Sequence, residues 1–210
     1  ISGQLDSKMV SLSKSTEGAE RFCIGLAKKV LIADQLGLIA DDIFSFSPSG
    51  LLTSTAWLGA VCYTLQIYYD FSGYSDMAVG IGKICGFDFQ ENFDHPYISR
   101  SLTEFWRRWH ISLSSWFRDY LYIPLGGSRR GNVYLNIFIV FLATGIWHGG
   151  EWHFVIWGIW NGIFLILEKF LKKHCRISLP AWLQHIYTLS VVMLGWVLFR
   201  SGSMTMAVQY

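Results

Sequence analysis

Charged side chains are scarce in this sequence. Asp, Glu, Lys and Arg make up 15% of its 210 residues, against about a quarter in average soluble proteins. Hydrophobic residues reach 52% and aromatic residues 17%, which argues against a soluble protein. The net charge of +2 is too small to indicate a nucleic-acid partner. The four cysteines form no CxxC pair, so they predict no cysteine-based metal site.

The ends of the chain give no targeting signal. The sequence begins with Ile1 rather than methionine, its first twenty residues are polar, and it stops abruptly at Tyr210. We recognise no signal peptide. We therefore expect a fragment of a longer protein, with helices missing on both sides.

Four long stretches carry no formal charge. They cover residues 43–69, 132–150, 152–167 and 177–199. About 20 apolar residues cross a bilayer core. Three stretches reach that length, and snorkelling of Lys169 would extend the shorter third one. The sequence therefore predicts an all-helical, multi-pass integral membrane protein.

Two further segments are less regular. Residues 22–40 contain Lys28, Lys29 and Asp34, which leaves a span and an interfacial helix as alternatives. Residues 71–89 are glycine-rich and predict a broken or re-entrant helix, which is tolerated only when protein surrounds it. The pairs Gly82/Gly86 and Gly158/Gly162 have the spacing that lets helices approach closely.

Basic residues predict the orientation of the chain. Six arginines lie between residues 100 and 131, and Lys169, Lys172, Lys173 and Arg176 follow the third apolar stretch. Loops rich in Lys and Arg stay in the cytoplasm. The second and third stretches would then form a hairpin, with "HGGEWH" as its turn on the opposite side.

A polar segment with helical periodicity begins at residue 102. At about 100° per residue, its apolar side chains fall on one stripe: Leu102, Trp106, Trp109, Leu113, Trp116, Phe117 and Tyr120. His110 falls on the same stripe, and Pro124 and Gly126 end the pattern. We expect one amphipathic helix at the membrane interface.

The "HGGEWH" turn admits three interpretations. As a metal site it is poor, because five residues separate His148 from His153 and turn their rings about 140° apart on a helix. As an acid–base site it is plausible, since a neutral imidazole in apolar surroundings accepts a proton readily. In the structural interpretation, His148 caps carbonyls at a helix end and His153 forms part of an aromatic belt with Trp152. This interpretation is favoured for His153 and is as good as acid–base chemistry for His148.

Asp70 and Asp76 need partners if they lie at membrane depth. The sequence offers Lys83, Arg107 and Arg108. A structural ion pair, a group orienting an active site, and a broken-helix transport site are the alternatives.

The segment from "YYDFSGYSD" through "ENFDHPYISRSLTEFWRRWHISLSSWFRDYLYIPLGGSRRG", followed by "TGIWHG", resembles the membrane-bound O-acyltransferase family. "GLAKKVLIAD" is similar to its alginate O-acetyltransferase branch. The resemblance implies that residues 1–210 are part of one transmembrane domain, with helices around a thinned centre and a tunnel to a histidine. It assigns the catalytic position to His148 and the second active-site position to His110.

The same resemblance implies the chemistry. An acetyl or other acyl group would pass from a cytoplasmic thioester, acetyl-CoA in the acetyl branch, to hydroxyls of an exported or cell-wall polysaccharide. Transfer would be direct or through a periplasmic partner protein, in the bacterial cytoplasmic (inner) membrane. No metal is implied, and "GGSRRG" is a candidate for contacts with the donor phosphates. The alternative is a non-enzymatic transporter or a scaffold for a polysaccharide-modifying complex.

Overall fold

The computed structural model describes Gln4 and residues 10–47, 50–175 and 179–210. The chain divides into two compact units, one formed by Ile1–Ser45 with Trp57–Asn92 and the other by Phe46–Ala56 with Phe93–Tyr210. The described residues form helices and no strand, which confirms the all-helical prediction. Arg176, which we counted among the basic residues, and the first two residues of the fourth apolar stretch lie outside the described ranges.

The first unit is built on long helices. Helix α1, Leu12–Ala27, continues through a π-helical segment, Lys28–Ala33, into α2, Asp34–Ser45. The Ser11 side chain accepts a hydrogen bond from the Lys14 N–H at 3.2 Å and so caps α1. Most of α3, Thr53–Ile84, also belongs to this unit. The stretch 22–40 is therefore one uninterrupted helical rod.

The predicted broken or re-entrant helix at residues 71–89 is wrong. Helix α3 is continuous to Ile84, and its glycines serve packing instead. A Cβ on Gly73 would lie 2.7 Å from the Gly25 carbonyl oxygen, and one on Gly80 would lie 2.5 Å from that of Gly18. The glycines thus allow the backbones of α1 and α3 to touch.

Two other predictions fail in this part of the chain. Residues 43–69 are not one span, because α2 ends at Ser45 and α3 begins at Thr53. The Gly82/Gly86 pair does not join helices. Gly82 faces the Phe89 ring, and Gly86, with φ 83°, follows the end of α3.

Ion pairs neutralise the aspartates of α3, but with partners other than those we expected. The buried Asp76 carboxylate accepts from Lys28 Nζ at 2.6 Å and from Arg21 Nε at 2.9 Å. Asp70 pairs with Lys29 at 2.7 Å. These pairs connect α3 to the α1–π segment, so the aspartates hold the first unit together.

The second unit contains the remaining helices. They are α4, Leu102–Arg108; α5, Ile111–Phe117, which continues as a π-helical segment, Arg118–Tyr122; α6, Val133–His148; α7, Trp152–His174; α8, Ala181–Arg200; and α9, Met204–Gln209. Among the described residues, α7 and α8 are long and apolar enough to cross a membrane, and α6 is a shorter apolar helix.

Helices α6 and α7 form the predicted hairpin. A Cβ on Gly158 would lie 2.4 Å from the Phe141 carbonyl oxygen, and one on Gly162 would lie 3.3 Å from Phe141 Cβ. The Gly158/Gly162 prediction is therefore confirmed. On the other side of α7, the Trp160 indole N–H donates to the Val191 carbonyl of α8 at 3.0 Å.

Candidate active site

The predicted single helix from residue 102 is broken at its centre, and that prediction is wrong. Ser101 caps α4 by accepting from the Glu104 N–H at 3.1 Å. Trp109 then takes an extended conformation, and His110 adopts φ 45°, ψ 55° before α5 begins at Ile111. A non-glycine residue in the left-handed region is uncommon. The break therefore needs support from the surrounding packing.

Aromatic packing around Trp109 supplies that support. Trp109 is buried, with ring centroids of Trp196 at 4.9 Å, Phe93 at 5.0 Å and Phe105 at 5.6 Å. Because these contacts hold the Trp109 ring in place, the backbone turns at His110 before α5 begins. Because of the turn, Trp116 and Tyr120 on the predicted apolar stripe are exposed, whereas Leu102 and Phe117 are buried.

Both predicted catalytic histidines line one cavity of about 580 Å³ in the second unit. His110 enters it from the break between α4 and α5, and His148 from the last residue of α6. One wall follows a single face of α6 through Ile137, Phe141 and Thr144. Residues 38 positions apart in sequence thus meet around a common space.

Aromatic rings surround the His148 imidazole. Its ring centroid lies 4.9 Å from that of Trp147, 5.0 Å from Trp157 and 5.2 Å from Phe199, with interplanar angles of 78°, 89° and 87°. Such rings fix the imidazole orientation and are favourable neighbours for a cation. His148 is also the last residue of α6. The aromatic packing therefore holds its imidazole in one orientation at the end of that helix.

Sequence reasoning missed Trp157 and Phe199. Trp157 lies nine residues beyond His148 and is 2% exposed. In the sequence it is one apolar residue among many in the third apolar stretch. Phe199 comes from α8, and no local signal connects it to the histidine. Both emerge only from helix packing.

His110 is half-buried and lies outside helices α6, α7 and α8. Burial, and secondarily the charge of His148, lowers the pKa of His110 to about 4. Its Nδ1 lies 3.5 Å from Ser112 Oγ. His110 is therefore neutral at physiological pH where it lines the cavity.

His153 is separate from this cavity. It is buried, its ring lies 4.1 Å from that of Phe154, and its Nδ1 is 3.3 Å from Glu151 Oε2. Within the described parts of the chain, no group of three or more His, Cys, Asp or Glu side chains is arranged to hold a metal ion. The contacts of His153 fit the structural interpretation of the "HGGEWH" turn.

The "GGSRRG" loop borders the cavity at Ser128. Gly126, Gly127 and Gly131 all have positive φ, and the Asn136 side-chain amide donates to the Gly127 carbonyl at 2.9 Å, tying the loop to the start of α6. Ser128 lines the cavity, and its hydroxyl lies 2.8 Å from that of Tyr122.

The described residues thus form a helical protein with apolar helices, in which two histidines line one cavity with aromatic walls. The sequence agrees: the chain belongs to the membrane-bound O-acyltransferase family, whose profile matches residues 4–207.

Curated relatives extend across nearly the whole chain. The probable alginate O-acetylase of Azotobacter vinelandii is 49% identical over 206 residues, which is 97% of this chain and 41% of that protein. The peptidoglycan O-acetyltransferase of Helicobacter pylori is 42% identical over 193 residues, 90% of this chain and 36% of that protein. The teichoic acid D-alanyltransferase of Bacillus subtilis is 31% identical over 153 residues, which is 65% of this chain and 39% of that protein. The chain thus spans about two fifths of the length of these relatives.

Proposed function

We propose that the protein containing this chain is an O-acyltransferase that moves an acetyl or other acyl group from a thioester to hydroxyls of an exported or cell-wall polysaccharide. The observation that carries the proposal is the meeting of His110 and His148 around one cavity. The names of the relatives, which acetylate alginate or peptidoglycan or transfer D-alanine to teichoic acid, support the reaction class.

His148 acts as the general base in this proposal. It takes the proton of the acceptor hydroxyl while that oxygen attacks the thioester carbonyl, forming the new C–O bond. The C–S bond then breaks, and the departing thiolate receives the proton from His148. An alcohol is a weak nucleophile until its proton leaves, and general-base assistance contributes about 10²–10⁴ in rate.

His110 has a supporting role. Its neutral imidazole faces the same cavity from the α4–α5 break and so orients the reacting groups or relays a proton. A ring held neutral by burial donates one hydrogen bond and accepts one, which suits it to both tasks.

The wider setting extends the proposal to the longer protein. We place it as a multi-pass protein of the bacterial cytoplasmic membrane, with this chain as part of a single transmembrane domain. Acetyl-CoA is the proposed donor, and the acyl group reaches the polysaccharide directly or through a periplasmic partner protein. The membrane-bound character of the family and helices α7 and α8 support this placement.

The transporter alternative loses its main support. It depended on Asp70, Asp76 and the glycine-rich segment forming a broken-helix site, whereas α3 is continuous and both aspartates form ion pairs with the first unit's own lysines. These features are those of a packed helix rather than of a transport site.

Acyl transfer by the full-length protein tests the proposal. His148→Ala should abolish transfer of labelled acetyl from acetyl-CoA to polysaccharide, and His110→Ala should reduce it strongly, while both variants still insert in the membrane. His174→Ala, at the exposed end of α7, is the matched control and should transfer normally. Full activity of His148→Ala would refute the assignment, and mass analysis of the polysaccharide would identify the product.

A further inference from the structure

Glu168 is a buried carboxylate that the proposed acyl transfer does not use. It lies on α7, is 8% exposed, and does not line the histidine cavity, although Leu165 and Lys169 on the same helix do. A carboxylate is costly to bury unless hydrogen-bond donors surround it. Its partners therefore show which part of the fold it holds.

Two of these partners belong to the first turn of α4. Glu168 Oε2 accepts a hydrogen bond from the Leu102 N–H at 2.7 Å, and Oε1 accepts one from the Thr103 hydroxyl at 3.0 Å. The third partner, Lys172 Nζ at 2.9 Å, lies one turn further along α7. Glu168 thus ties α7 to the start of α4.

The Leu102 N–H depends on this carboxylate. The first four N–H groups of a helix have no acceptor within the helix, and the Ser101 hydroxyl accepts from the Glu104 N–H instead. Leu102 is fully buried, so water does not replace the Glu168 oxygen. Because a buried N–H without an acceptor is costly, the start of α4 would move if Glu168 were removed.

The residues just before α4 are held as well. The His185 Nδ1–H of α8 donates to the Ser99 carbonyl at 3.2 Å, and Ser99 is fully buried. Helix α8 therefore holds the segment that enters α4, while α7 holds the first turn of α4.

Helix α4 ends beside His110. Its seven residues, Leu102–Arg108, cover about 10 Å, so a shift at its start is carried to its end. There the Trp109 ring packs on Trp196 at 4.9 Å, and His110 follows at φ 45°. Apolar packing is non-directional, whereas hydrogen bonds to a charged group are short and strong. Glu168 therefore adds a directional contact that the aromatic cluster lacks.

We propose that Glu168 is a positioning residue, which sets the place of the His110 imidazole in the cavity by fixing the first turn of α4 against α7. The inference rests on the proposed function, in which His110 orients the reacting groups or relays a proton. Because Glu168 lies outside the cavity lining, its replacement should lower kcat and leave KM nearly unchanged.

A double-mutant cycle in the full-length protein tests this role. Glu168→Ala should lower kcat about 10²-fold, the loss typical of a displacement of about 1 Å near a reacting group. In the His110→Ala background the same change should lower kcat little further, because residues that act through one another are not additive. Glu168→Gln keeps an oxygen for the Leu102 N–H but turns an amide toward Thr103, and it should lose only about tenfold.

Glu20→Gln is the matched control, since Glu20 is an exposed glutamate on α1, and it should keep the native kcat. Glu168→Ala at the native kcat would overturn the inference. So would an equal loss in both backgrounds, since Glu168 would then act without His110. If Glu168→Ala does not fold, Glu168→Gln in the two backgrounds makes the same comparison.

NMR of the histidine rings separates this inference from the proposed function. Glu168→Ala should shift the ring resonances of His110 and leave those of His174, at the exposed end of α7, unchanged. That shift in a full-length protein without acyl-transfer activity would support the positioning and reject the proposed function. Unchanged His110 resonances would overturn the positioning even in an active enzyme.

Discussion

Gly158 decides how closely α6 and α7 pack, and Gly158→Ala tests whether that packing positions His148. The added Cβ would lie 2.4 Å from the Phe141 carbonyl oxygen and 3.1 Å from Gly145 Cα. Both are backbone atoms, so no side-chain rotation relieves the overlap. Ordinary contact begins at 3.4 Å, and the helices must therefore separate by about 1 Å at this point.

The free-energy terms oppose each other. Alanine gains about 1 kcal/mol of helix propensity over glycine, whereas overpacking a close contact costs about 1–3 kcal/mol. Because backbone atoms meet here, we expect the overlap to dominate and the melting temperature to fall. His148 lies three residues after Gly145, and a displacement of about 1 Å at a reacting group costs about 10²-fold in rate.

The assay is thermal unfolding of the purified full-length protein together with its acyl-transfer rate. Gly195→Ala on α8 is the matched control, since its Cβ would make ordinary contacts with Trp160 atoms at 3.5 Å and with Trp157 Nε1 at 3.7 Å. That variant should be at least as stable as the native protein. If Gly158→Ala matched Gly195→Ala in melting temperature and transfer rate, our account of the α6–α7 contact would be refuted.

Three further predictions follow from other contacts. Trp157→Leu should lower kcat more than it changes KM, because the ring holds His148, and Trp157→Phe should restore much of the rate; equal activity of the two variants would contradict this. Asp76→Asn should destabilise the first unit by about 2 kcal/mol or more, since Arg21 and Lys28 lose a charged acceptor; an unchanged unfolding midpoint would reject that role. The His110 ring should titrate near pH 4 by NMR, staying neutral as the pH falls from 7 to 5, and a midpoint near 6.5 would show that burial does not control it.

The sequence was most informative where patterns are local. The α6–α7 hairpin, its Gly158/Gly162 contact and the helix stop near Pro124 all follow from spacing within one segment. His148 and His110 were identified by motif resemblance, and their meeting in one cavity required the structure. The roles of these histidines stay predictions until activity is measured.

The failures share a physical cause. Gly73 and Gly80 predict a broken helix when read alone, but they face Gly25 and Gly18 on another helix. No glycine, proline or asparagine next to His110 predicts the turn there. It depends on Trp109, whose partner Trp196 lies 87 residues further along the chain. Such tertiary contacts override local periodicity.

Chemical rescue of His148→Ala in the full-length protein tests the central claim most directly. The measurement is the rate of acyl transfer with and without added imidazole. We predict that the variant loses at least about 10² of the native rate and regains part of it as imidazole enters the vacated side of the cavity. Transfer at the native rate without imidazole would contradict the assignment of His148 as the base.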